Sequence, residues 1–132
     1  MAVELQEPAL RLMTWIENNR DPALADRFIA DLGSRPLDEI VAQPYVAGPL
    51  GFLLEQHKKN IETVRAAARL DQGVVVSDLA ESGVTAFNKF IAYYLFPEAR
   101  YAVAITLGSR AKISVGCNPW STVPRTHEIN KI

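Results

Sequence analysis

The sequence predicts an α+β fold, a small mixed sheet of the α/β type preceded by a helical connector, in the order helix, helix, helix, long helix, strand, helix, strand, strand. Three observations carry this. Up to about residue 70 apolar residues recur at helical spacing, from Gly73 the pattern changes to short β-branched runs, and residues 101 to 116 read as two apolar strands joined by Gly108-Ser109. The change of period divides the chain into a helical part, residues 1–70, and a small α/β part, residues 71–132.

Pro8 opens the first helix, in which Leu10, Met13, Trp15 and Ile16 share helical spacing before Asn18 and Asn19 close it. Asp21-Pro22 opens a second through Leu24, Phe28, Ile29 and Leu32, ended by Gly33-Ser34, and Pro36 starts a short third over residues 37–42. Gly48-Pro49 marks the next boundary. From Leu50 to Leu70 the apolar positions keep the period of one long amphipathic helix, with Glu55, Lys58, Lys59, Glu62, Arg65 and Arg69 outward. The glutamates interrupt the basic residues, so this face reads as solvated rather than as a nucleic-acid stripe. His57, on the apolar side, reads as a partly buried interface histidine.

After Asp71-Gln72-Gly73, residues 73–77 have the composition of a strand buried on both faces. Gly83 and Thr85 introduce a helix carrying Phe87, Phe90, Ile91, Tyr94 and Leu95, with Thr85 as N-cap and Pro97 as terminator. Residues 101–107 form the next strand, Gly108-Ser109 a two-residue hairpin turn, and residues 111–116 the returning strand. A right-handed crossover from the first strand lays the intervening helix on one sheet face.

Composition narrows the function classes. The chain has 132 residues, 48% hydrophobic and 22% charged, with a net charge of −1. That balance argues against disorder and against long-range attraction to polyanions, so a nucleic acid would have to be held locally. The single cysteine, Cys117, excludes an internal disulfide and a cysteine-based zinc site, and reads as a small buried hydrophobe in a reduced, cytoplasmic setting. The start has no secretory pattern and no apolar run approaches the ~20 residues of a membrane span, so neither secretion nor insertion is expected.

Chemistry concentrates after the hairpin. Arg125 offers a planar fork of donors that matches a phosphate or carboxylate, or alternatively pairs with Glu128. His127 can bond a phosphate oxygen or a base edge and changes charge near neutral pH, or caps a surface turn. Asn118 carries both donor and acceptor, and also initiates turns when it precedes proline. Trp120 can stack a nucleobase or cover the end of the sheet. Ser114 sits on the outgoing strand, on the same face as Lys112 by alternation. His57 and His127 lie seventy residues apart, and no Ser-His-Asp or Cys-His arrangement is recognisable.

The segment RAKISVGCNPWSTVPRTHEI, preceded by ARYAVAITLGS, resembles the C-terminal domain of DHH-superfamily phosphoesterases, in particular exopolyphosphatase-like and nano-RNA-degrading members. The likeness covers about residues 70–132, with the preceding helices fitting the family's interdomain connector. It implies a substrate-binding role for Ser114, Asn118, Trp120, Arg125 and His127, toward a phosphate-containing small molecule or a short nucleic acid. The family's metal-binding Asp-His-His cluster belongs to an N-terminal catalytic domain, where two Mn²⁺ or Mg²⁺ ions generate hydroxide and stabilise the leaving oxygen. No DHH triplet occurs here, and the family's GGGH motif is absent up to Ile132. The resemblance therefore implies a fragment that binds no metal itself, partners a missing catalytic domain and does not turn over alone.

The other reading is a non-catalytic ligand-binding or dimerisation module. Apolar surface released by a missing partner would favour a homodimer, with Leu10, Met13, Trp15 and Phe28 expected at its interface.

Overall fold

The computed structural model describes residues 2–131. They form two compact units, one reaching to Gln56 and one starting at His57.

In the first unit, α1 (Pro8–Asn18) and α2 (Pro22–Leu32) each begin on a proline, whose missing N–H would have been unpaired there in any case. The Asp21 carboxylate caps α2 by accepting from the Ala23 N–H at 2.9 Å. Gly33 ends α2 in a right-handed conformation, so glycine's freedom at positive φ is not what stops this helix. The short α3 (Leu37–Val41) and the start of α4 (Pro44–Ala67) complete the unit. Leu12, Trp15, Phe28, Ile40, Val46 and Leu50 form its core. Trp15 packs 5.2 Å from Phe28 and edge-on to Tyr45 at 5.5 Å. Two residues expected at a dimer interface are thus part of this core, Trp15 at 2% exposed and Phe28 at 7%; Met13 is exposed.

The boundary expected at Gly48-Pro49 does not exist, because α4 runs through Pro49. Proline removes the hydrogen bond that its N–H would give to the carbonyl four residues back, here Tyr45. The Trp15 indole N–H donates to that same carbonyl at 3.2 Å. A side chain from α1 thus supplies the donor that Pro49 lacks.

The second unit is built from the last part of α4, a four-stranded sheet and one short helix. The strands are β1 (Ala68–Asp71), β2 (Val74–Asp78), β3 (Tyr101–Leu107) and β4 (Ala111–Cys117), with α5 (Ile91–Leu95) between β2 and β3. Spatial order is β1-β2-β3-β4, the outer pairs antiparallel and β2/β3 parallel. β1 is additional to the expected order: residues 68–70 carry good helix formers that extend the helical period, yet they pair with β2 across a tight turn. Both turn residues, Gln72 and Gly73, have positive φ, the requirement of a two-residue hairpin that matches sheet twist.

Other boundaries also shift. The helix expected from Thr85 begins only at Ile91, and Asn88, not Thr85, makes the local side-chain bond, accepting from the Phe90 N–H at 2.9 Å. The β3–β4 connection spans Gly108, Ser109 and Arg110, since Leu107 pairs with Ala111. β2 is buried on one face only; Val76 is 39% exposed.

Register separates the two faces. Leu70, Val75, Ala102 and Gly116 share one side, where Ala92, Tyr93, Phe90 and Phe96 pack against it. The opposite face carries Val76, Val103, Val115, Ile105 and Ile113, of which Val76, Ile113 and Val115 are exposed. Among the described residues no helix is long and apolar enough to cross a membrane.

Candidate functional site

β4 ends at Cys117, and the chain then turns through Asn118. The Asn118 side chain is 5% exposed and donates to the carbonyls of Pro97 at 3.2 Å and Ala99 at 2.7 Å, while its own carbonyl accepts from the Trp120 N–H at 3.0 Å. Its backbone N–H donates to Arg100 at 2.8 Å. Both amide hydrogens are therefore engaged within the fold, and Asn118 ties the loop to the start of β3. Trp120 packs edge-on against Phe90 at 5.3 Å and stays 47% exposed. Phe90 belongs to the cluster on the α5 side of the sheet.

Arg125, Thr126 and His127 lie on the other side. With Cys117, Glu128 and Ile129 they line an open cleft of about 760 Å³. Their anchor is Tyr101, the first residue of β3, which register pairs with Cys117 on the open face. The Tyr101 hydroxyl oxygen accepts from the backbone N–H of Thr126 at 2.9 Å and of His127 at 2.8 Å. It also lies 3.3 Å from the Thr126 hydroxyl, which is 2.9 Å from His127 Nδ1. The hydrogen bond with Thr126 is the main reason the Tyr101 phenol is held below its ordinary value of 10, helped by the two backbone donors.

Arg125 forms no ion pair among the described residues; Glu128 pairs with Lys131 instead. Arg125 thus lines the cleft with no side-chain hydrogen bond or ion pair to another described residue, next to a histidine fixed through its backbone and Nδ1. Cys117, expected to be buried, is half-buried and free. Ser114 belongs to the opposite sheet face from Tyr101 and Cys117, by alternation along β4. Of the five residues singled out by sequence, the cleft unites Arg125 and His127, and leaves Ser114, Asn118 and Trp120 outside. Tyr101 escaped sequence reading because it begins an apolar strand and resembles any strand aromatic. After His127 the chain forms a short 3-10 turn, Ile129–Lys131.

Among the described residues no group of three or more His, Cys, Asp or Glu is placed to hold a metal ion. The residues present do not fit the metal pair that the DHH resemblance implies.

No protein-family model matches the sequence, and no curated protein matches it. Among solved structures, the fold is similar to that of the pGpG-specific phosphodiesterase PggH from Vibrio cholerae, with a TM-score of 0.75 at 20% sequence identity. The match covers 92% of this chain and 46% of that one, so this chain spans less than half the length of its structural neighbour. At that identity the likeness is one of fold.

Proposed function

We propose that this chain is the substrate-recognising C-terminal part of a metal-dependent DHH-type phosphoesterase acting on short oligonucleotides, nucleotide phosphoesters or polyphosphate. The observation that carries the reading is the cleft lined by Arg125, which pairs with no other described residue's carboxylate, and His127, on a segment pinned by Tyr101. A phosphate there would take the guanidinium fork, with the histidine ring as a second donor when protonated. The fold likeness to a phosphodiesterase supports the same class, and the pGpG named for that protein makes a linear dinucleotide the natural first probe. Tyr101, Thr126 and Asn118 act in this reading as positioning residues. Mn²⁺ or Mg²⁺ would in this reading be held by the partner catalytic domain, since the described residues offer no fitting donor set.

The test is titration of the 132-residue chain with inorganic phosphate and with pGpG, followed by calorimetry and by amide chemical shifts. Shifts should centre on residues 125–127, and Arg125→Ala should weaken binding by about tenfold or more, the scale of a lost charge-assisted hydrogen bond. Unchanged affinity in Arg125→Ala would overturn the phosphate clamp. The second reading, an interaction module, draws support from a different place, the exposed outer strand of the sheet.

A further inference from the structure

We infer that β4 is a self-association edge, on which a second copy of this chain adds its own β4 antiparallel and in one particular register. The argument begins with backbone direction. In β3, the Tyr101 N–H bonds the Gly73 carbonyl at 3.2 Å and the Ile105 carbonyl accepts from Leu79 at 2.8 Å, so the odd-numbered residues of β3 turn their polar groups toward β2. The even ones, Ala102, Ala104 and Thr106, face β4 and meet Gly116, Ser114 and Lys112. Alternation then directs the N–H and C=O groups of Ala111, Ile113, Val115 and Cys117 outward.

Of the devices that normally block pairing, this edge carries a single lysine, Lys112, and neither proline nor bulge. β4 contains no proline, and its register with β3 runs unbroken from Cys117 to Ala111, without a bulge. Residues 111–115 are all exposed, Ile113 at 68% and Val115 at 46%. One charge lies on the strand, Lys112, and it selects the register. A two-fold axis at Ser114 sets Ser114 opposite its own copy, Ile113 opposite the other chain's Val115, and Lys112 opposite Gly116. Every outward group is then used, all seven residues overlap, and no like charges meet. Moving the axis to Lys112 would put the two lysines face to face. Moving it to Val115 would leave Ala111 unpaired. With the axis at Ser114, Ile113 and Val115 of both copies join into one apolar row on the open face, and two four-stranded sheets become one of eight.

The pairing across Ser114 is a non-hydrogen-bonded one, with Cα atoms about 4.5 Å apart, within disulfide reach. Ser114→Cys in a Cys117→Ser background should therefore form a covalent dimer under mild oxidation, while Lys112→Cys in the same background should not. Light scattering across concentration should show the unmodified chain passing to twice the monomer mass. Val115→Pro removes an outward N–H but none bonded to β3, and should weaken dimerisation about tenfold or more with an unchanged circular dichroism spectrum. A chain that stays monomeric at high concentration overturns the proposal. So does a dimer in which Ser114→Cys gives no more cross-link than Lys112→Cys. If Val115→Pro perturbs the fold, the cysteine pair alone decides. None of these measurements depends on phosphate binding.

Discussion

At the level of single residues, the Tyr101 hydroxyl anchors the segment that carries Arg125 and His127, because it accepts from two successive backbone amides there. The ionised phenolate is the better acceptor, so the Thr126 side-chain hydrogen bond first, and these two backbone donors after it, hold its pKa below 10. The sign follows: a lowered folded pKa means that docking of residues 125–127 is fully reinforced above pH 10 and that the reinforcement is lost as pH falls through the lowered value. Tyr45 and Tyr93 behave oppositely. Burial, then the Asp31 hydrogen bond, pushes Tyr45 up to about 12; burial, then the neighbouring Cys117, pushes Tyr93 up to about 12, with the Ala102 backbone offsetting this only in part. Those two tyrosines withdraw stability as pH climbs from 10 toward 12. A spectrophotometric titration should show Tyr101 ionising first and those two last, and Tyr101→Phe should delete the earliest phase while speeding amide exchange at Thr126 and His127 by roughly five- to tenfold. Loss of the latest phase instead would reverse the assignment. Arg125 and His127 stand out in the sequence because their side chains suit anion chemistry, and the fold brings both to one cleft. Asn118 was legible as a polar loop residue, but its burial was not, since nothing local reveals that the carbonyls of Pro97 and Ala99 converge on it.

At the level of elements, misread boundaries share one cause: a long-range partner overrules a local signal. Gly48-Pro49 is a strong punctuator, yet α4 continues because Trp15, over thirty residues earlier, satisfies the Tyr45 carbonyl. Trp15→Phe keeps most of the ring packing against Phe28 and removes only that donor. It should cost about 1–3 kcal/mol in a denaturant melt, the penalty of orphaning a partly buried carbonyl, and should raise amide exchange around residues 45–49. A neutral substitution would mean that α4 is carried through Pro49 by packing alone. Residues 68–70 fail the other way, as helix formers recruited into β1 by pairing with Ser77, Val76 and Val75. β3 and β4, whose apolar alternation and glycine turn are local, were readable almost to the residue. The hairpin loop differs by one residue, because Gly108 donates back to the Arg110 carbonyl at 3.2 Å.

At the level of the whole molecule, the proposed reading gives this chain the binding half of a phosphoester hydrolysis and leaves the chemistry to a partner domain. Phosphoester cleavage by the two-metal route needs several carboxylate or imidazole donors converging within a few ångströms, to hold the ions and to generate hydroxide at neutral pH. The described residues contain no such cluster, and the cleft offers one guanidinium, one imidazole and a carboxylate already paired with Lys131. Such a set can orient a phosphate and neutralise its charge, and among the described residues it does not assemble the donor cluster of the two-metal route. Binding and turnover should therefore separate. With Mn²⁺ or Mg²⁺ present, the purified chain should bind pGpG yet release no mononucleotide above the protein-free rate, as followed by chromatography over hours. Cleavage that persists through repurification and falls with Arg125→Ala would show that this chain carries a nucleophile-generating group outside the donors named here. Cleavage unaffected by that substitution would point to a contaminating hydrolase, and the binding measurement would still report on the cleft.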